Sequence, residues 1–257
     1  MGLFRSVVAT LAVFFLFQSS AFIVLWRFWL FPQVFLLSFF VAQIFFYLVV
    51  FFFLTKNSRL FYNTLNGENE TKVNVVNKIT LFRISMLPFL VMLTLVTKQH
   101  GDAGSSSGVV LTAVFALTFT TDFFDGRIAR LKKLETYIGK ILDSASDYLL
   151  LGFSAGAFFY FKLIKPWVFL IIIIRLFFNS VVMLILFWVH RKLRPQTTPL
   201  GKIAIAAIMV LLVLETAQIP RLSRWIVFIE AAAAFIIGIS IIDKLVYLIK
   251  GLRTAQN

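Results

Sequence analysis

Four of the chain's six aspartates fall within one short stretch: Asp122, Asp125, Asp143 and Asp147. All four lie at or near the ends of apolar runs. A carboxylate there is costly unless a cation accompanies it, so an acid inside a membrane segment is read first as functional. Asp122 and Asp125 are three apart and Asp143 and Asp147 four apart, so each pair shares one helix face. Gly139, four before Asp143, leaves room beside that face for a close-approaching group. Between the pairs, Lys132-Lys133-Leu134-Glu135-Thr136 is polar enough to turn, and Thr136 suits a helix N-cap. The spacing predicts two antiparallel helices presenting four carboxylates to one another near a membrane surface. Oxygen ligands without His or Cys select hard cations such as Mg²⁺ or Mn²⁺. Four carboxylates suit two such ions a few ångströms apart, an arrangement that clamps a phosphoryl group during displacement. Arg130 and its neighbours Arg127, Lys132 and Lys133 can take remaining phosphate charge. Gly126 lets a diphosphate approach the backbone. The plainer alternative, acids paired with nearby Arg and Lys in an interfacial loop, accounts for one aspartate more readily than for four at this spacing.

The elements that must position these residues are membrane helices. The chain has 257 residues, 60% hydrophobic and 17% aromatic, with a mean hydropathy of +0.94. Its apolar residues form runs long enough to cross a hydrocarbon core of about 30 Å as helices. They predict eight spans, near 7–26, 33–54, 79–97, 109–129, 138–161, 166–189, 200–217 and 225–248. The fold class is therefore all-α and polytopic. Lys and Arg number 25 against 11 Asp and Glu, a formal charge of +14. The basic residues lie between apolar runs, which points to anionic headgroups and the positive-inside rule rather than to nucleic acid. Clusters at Lys56–Lys78, Arg127–Lys133, Arg191–Arg194 and Lys250–Arg253 fall on one side if both termini are cytoplasmic. With no cysteine, thiol nucleophiles and zinc-thiolate sites are excluded. The polar stretch 55–78 divides the chain into an N-terminal hairpin with its linker, residues 1–70, and a six-helix remainder, residues 71–257.

Written in full, the acidic stretch reads Asp122-x2-Asp125-Gly126-x2-Ala129-Arg130-x8-Gly139-x3-Asp143-x3-Asp147. This resembles, at eight fixed positions, the signature of the CDP-alcohol phosphotransferase family. The resemblance extends over roughly residues 74–250 and implies a six-helix catalytic core, with the first two helices additional to it. It implies that Asp122, Asp125 and Asp143 ligate two divalent cations, Mg²⁺ or Mn²⁺. Asp147 would contact metal and act as the general base on the acceptor hydroxyl. Gly126, Ala129, Arg130 and Gly139 would line the CDP site. It further implies a homodimer in a bacterial inner membrane, its active site open to the cytoplasm, where an acceptor alcohol displaces CMP from a CDP-alcohol donor.

Donor and acceptor are carried by other residues. Asn77-Lys78-Ile79-Thr80-Leu81-Phe82-Arg83 with Pro88 is similar to the first core helix of the branch that uses CDP-diacylglycerol, phosphatidylglycerophosphate synthases especially. Asn77 and Thr80 also suit helix capping, and Arg83 suits snorkelling to headgroups. Arg83, Arg175, Arg194 and Lys202 are candidates to hold an acceptor phosphate. Arg175 lies inside an apolar span, and Gly201-Lys202 resembles the Gly-Lys of those synthases. The pattern departs at Leu176, where that branch has Glu, and the run from Leu142 to Asp147 is nearer to serine- and inositol-using members. The expected activity is phosphatidyl transfer from CDP-diacylglycerol to glycerol 3-phosphate. The alternatives are a phosphatidylserine- or phosphatidylinositol-type synthase, a choline or ethanolamine phosphotransferase using diacylglycerol, and a cation-relaying transporter. Transport sites typically lie near the midplane, whereas these acids cluster near one surface.

Overall fold

The expected apolar runs fall on helices, because a bilayer leaves the backbone no partner but itself. The computed structural model describes residues 2–65, 67–100, 106–132, 134–190, 198–217 and 224–253. The helices are α1 (Gly2–Trp29), α2 (Gln33–Lys56), α3 (Val75–Ser85), α4 (Leu87–His100), α5 (Ser106–Lys132), α6 (Tyr137–Tyr160), α7 (Pro166–His190), α8 (Pro199–Ala217) and α9 (Ile226–Arg253). Among the described residues the only β pairing is two isolated bridges, Tyr62 with Asn69 and Asn63 with Thr136. Six spans are long and apolar enough to cross a membrane on length and composition alone. α5 adds a shorter apolar stretch, Ser106–Thr121, and α6 carries Lys140, Asp143 and Asp147. The chain is an all-α polytopic membrane protein.

One expected span is two helices. α3 ends at Ser85 and α4 begins at Leu87, with Met86 between them. Pro88 explains the break: it has no N–H to give the carbonyl four residues back, and its ring crowds that carbonyl. The amide of Met86 still reaches the carbonyl of Phe82 at 3.1 Å and shares itself with that of Arg83 at 3.3 Å, a tightened last turn.

The chain divides into two compact units, residues 1–150 and 151–257, the cut falling within α6. In the first, α1 pairs with α2 and packs on α3, while α5 packs on α3 and α4. Its core joins Val7 and Leu11 of α1, Tyr47 and Leu54 of α2, Leu81 and Ile84 of α3, and Ile138 and Leu142 of α6. The outer face of α2 leaves Phe45, Leu48 and Phe52 uncovered, as lipid-facing side chains must be. In the second unit α9 packs on both α7 and α8. Lys165, just before α7, is paired there with the buried carboxylate of Glu230 on α9.

Candidate active site

The turn between α5 and α6 is held from two sides. Thr136 caps α6 as its sequence position predicts, its Oγ1 accepting from the amide of Gly139 at 3.1 Å. The same hydroxyl donates to Asn77 Oδ1 of α3 at 3.0 Å. The cap of α3 is Asn74 rather than Asn77 or Thr80: its Oδ1 accepts from the Asn77 amide at 2.9 Å. The Asn74 Nδ2 also donates to the carbonyl of Leu134, at 3.0 Å. From the other side, the linker after α2 pairs with the turn. Thr64 N donates to Glu135 O at 2.9 Å, and Tyr137 N donates to Tyr62 O at 3.1 Å. The rings of Tyr62 and Tyr137 stack 5.5 Å apart.

This crowding gives Gly139 a local reason. A Cβ built there would lie 2.5 Å from Asn77 Oδ1 and 2.8 Å from Thr136 Oγ1. The close-approaching group beside this glycine is thus the Asn77 amide of α3.

One turn further along α6, Asp143 and Asp147 share the face that Arg83 meets. Arg83 Nη2 lies 2.7 Å from Asp143 Oδ1 and 3.3 Å from Asp147 Oδ1. Arg83 Nε donates to Ser146 Oγ at 2.8 Å, and Nη2 also bonds that oxygen. Ser146 Oγ in turn donates to the Asp143 carbonyl at 2.8 Å. The Arg83 side chain is fully buried, whereas that of Asp143 is 51% exposed and that of Asp147 13%. A buried guanidinium in a membrane segment needs both charge and hydrogen bonds around it. Arg83 therefore does not snorkel: its head is turned inward onto two carboxylates and a hydroxyl. Ser146 was not singled out from the sequence, although its place between the two aspartates on one helical face was a usable signal.

The other expected site residues divide by location. Asp122, Asp125, Gly126, Ala129 and Arg130 lie on α5, and their side chains are outside the described residues, as is Arg194 entirely. Among the described residues no group of three or more His, Cys, Asp or Glu side chains converges as a metal site. In the second unit Arg175 is buried, its Nε donating to Ser240 Oγ at 3.1 Å and its Nη2 to the carbonyl of Gly201 at 2.7 Å. Lys202, next to Gly201, is exposed. Lys244 on α9, one turn beyond Ser240, is also buried, its ammonium 4.8 Å from the centre of the Tyr247 ring. Asp243-Lys244 is a charged pair inside the last apolar run, a signal passed over in the sequence.

With this geometry in view, the class is defined by comparison. The model of the CDP-alcohol phosphatidyltransferase family matches residues 73–237, well over half of the chain, and the chain belongs to that family. Members of the family generally depend on a divalent metal. Among individual relatives, the chain is 36% identical over 110 residues to the CDP-diacylglycerol–glycerol-3-phosphate 3-phosphatidyltransferase of Bacillus subtilis (strain 168), covering 40% of this chain and 57% of that one. It is 37% identical over 79 residues to the enzyme of the same name from Rickettsia typhi, covering 31% and 41%. A probable phosphatidylglycerophosphate synthase of Mycobacterium tuberculosis is 34% identical over 79 residues, covering 31% and 36%. The chain thus spans about half the length of the relatives it matches, or less.

Proposed function

We propose that this chain transfers a phosphatidyl group from CDP-diacylglycerol to glycerol 3-phosphate and releases CMP. The observation that carries the reading is the pairing of Asp143 and Asp147 on one α6 face, within a signature whose other half lies on α5. The names of the relatives support the choice of donor and acceptor.

In the proposed reaction an acceptor hydroxyl oxygen bonds to the lipid-side phosphorus of the donor. The bond from that phosphorus to the CMP oxygen breaks, and CMP leaves with the electron pair. Asp147 takes the proton from the hydroxyl. Asp143 and Asp147 stand one turn apart, the former half exposed, and the stretch offers oxygen donors only, so the donor set fits a hard divalent cation. Asp122, Asp125, Asp143 and Asp147 would hold two such ions, whose charge would offset that of the diphosphate. Gly126, Ala129, Arg130 and Gly139 would form the CDP site, Gly139 by admitting Asn77 and so fixing α3 against α6. Arg175, Arg194 and Lys202 are the cations proposed for the acceptor phosphate. Arg83 faces the aspartates, and its geometry favours orienting them over meeting the acceptor directly. The basic loops favour a cytoplasmic site in a bacterial inner membrane, and a homodimer is proposed from the family resemblance.

The test is the purified chain in detergent with Mn²⁺ or Mg²⁺, offered labelled CDP-diacylglycerol, CDP-choline and CDP-ethanolamine with their acceptors. CMP release from CDP-diacylglycerol that requires glycerol 3-phosphate is expected. Release only with serine or an inositol phosphate would move the assignment to those synthases, and release only from CDP-choline or CDP-ethanolamine would overturn it.

A further inference from the structure

The first two helices precede the stretch that the family model matches, yet they reach the residues on either side of Arg83. α1 carries a glutamine within its apolar run, Gln18, which is 1% exposed. Its Nε2 donates to Ser85 Oγ at 2.8 Å and approaches Met86 Sδ at 3.5 Å. Tyr47 of α2 donates its hydroxyl to Gln18 Oε1 at 3.1 Å, so both ends of the amide are bound. Ser85 Oγ passes the chain on, donating to the carbonyl of Phe82 at 2.7 Å. The Phe82 ring meets that of Phe14 edge-on, 5.3 Å away.

Two features make this more than packing. Ser85 and Met86 lie at the break enforced by Pro88, where the helix has lost a backbone hydrogen bond and its rotation is least fixed by its own ladder. Ring contacts tolerate sliding, whereas an amide buried among apolar side chains is satisfied only in one geometry. Arg83 is two residues before Ser85, and its own fork must meet two carboxylates and a hydroxyl at once. A small rotation of α3 would break that fit.

We infer that Gln18 is a positioning residue for the aspartate site, holding the α3 break so that Arg83 meets Asp143 and Asp147 in one register. This inference rests on the proposed phosphatidyl transfer for its kinetic consequence but not for its structural one. The comparison is between Gln18→Leu and Gln43→Leu in the full-length chain. Gln43 joins α1 to α2 through Ser19 Oγ at 3.0 Å and the carbonyl of Phe15 at 3.3 Å and makes no described bond to α3. Both variants are expected to lower the melting temperature. Only Gln18→Leu is expected to lower kcat, by about 10-fold, with KM for CDP-diacylglycerol changing less than about two-fold, since a misplacement of about 1 Å at a reacting group can cost as much as about 100-fold. Equal kcat losses in the two variants, or no loss in Gln18→Leu, would overturn the inference.

A second readout needs no activity. The chain has no cysteine, so Val75→Cys on α3 and Lys140→Cys on α6, both at exposed positions, accept a spin-label pair. The distance distribution between the labels is expected to shift or broaden with Gln18→Leu and to stay unchanged with Gln43→Leu. An unchanged distribution in Gln18→Leu would overturn the inference even if the enzyme is active. A changed one in a chain that releases no CMP would leave the positioning intact and defeat the substrate reading instead. Should Gln18→Leu fail to fold, Tyr47→Phe releases the same amide from one end with little change in packing. It is expected to shift the distribution in the same sense, and no shift would count against the inference.

Discussion

Arg83 and Asp143 form a 2.7 Å ion pair between unequal environments, a guanidinium with no exposure and a carboxylate that is half exposed. The buried partner is fixed by Ser146 and Asp147 as well, so the exposed one inherits a fixed place without losing its access to solvent. Such an arrangement suits the cation-ligand role proposed for Asp143, since a held carboxylate needs no reordering when an ion binds.

Asp147→Asn keeps the shape of the side chain and removes its ability to take a proton. CMP release is expected to fall by about a thousand-fold, within the range attributed to a positioned general base. Elution in gel filtration and thermal unfolding are expected to be near those of the parent. Full activity in this variant would defeat the base assignment.

Arg83→Leu leaves the carboxylate of Asp147, only 13% exposed, beside an apolar group. Breaking a buried pair from one side costs about 3 kcal/mol; the exposure of Asp143 keeps the loss toward the lower end. Arg83→Lys retains the charge but cannot bond Ser146 and Asp143 through separate nitrogens. It is expected to be more stable than Arg83→Leu and still to lose activity by about 10-fold or more. Thermal melts and initial rates on the same preparations check both halves.

Gly139→Ala places a methyl group where Asn77 Oδ1 and Thr136 Oγ1 already lie. The cost is about 1–3 kcal/mol if the helices cannot part. Adding Asn77→Ala removes one of the two obstacles, so the double variant is expected to lose less than the sum of the single losses. Additive losses would show that the crowding at α3 is not what limits this position.

Chelation with EDTA is expected to abolish CMP release, and Mn²⁺ or Mg²⁺ to restore it. In Asp143→Asn the Mn²⁺ concentration for half-maximal rate is expected to rise by at least about 10-fold. An Asp143→Asn chain with an unchanged metal requirement would remove that residue from the ligand set.

Much of this was legible in the chain itself, for definite reasons. Span lengths follow from bilayer thickness, so the eight runs fall within a few residues of the helices that form, and Thr136 caps α6 because a hydroxyl at a helix start has an amide to accept from. The break at Met86 was missed even though Pro88 was in view, since an apolar run says nothing about ladder continuity. Arg83 misled in a different way. Its position near a helix end reads equally well as snorkelling, and only the meeting of α3 with α6 decides that its head turns inward. Gln18 carried no local signal of its purpose, because its partners Ser85 and Met86 are 67 and 68 residues away.

The linker that pairs with the α5–α6 turn also bears on how this protein can be divided. Similarity to the family begins at residue 73, but the amide of Tyr137 and the carbonyl of Glu135 are satisfied by Tyr62 and Thr64. Trimming the chain to its region of likeness would strip two backbone partners from the turn that opens the aspartate helix. It would also strip Gln18 from the α3 break. A chain cut at residue 73 is therefore expected to unfold at a lower temperature than the whole, although it keeps the full stretch that the family model matches.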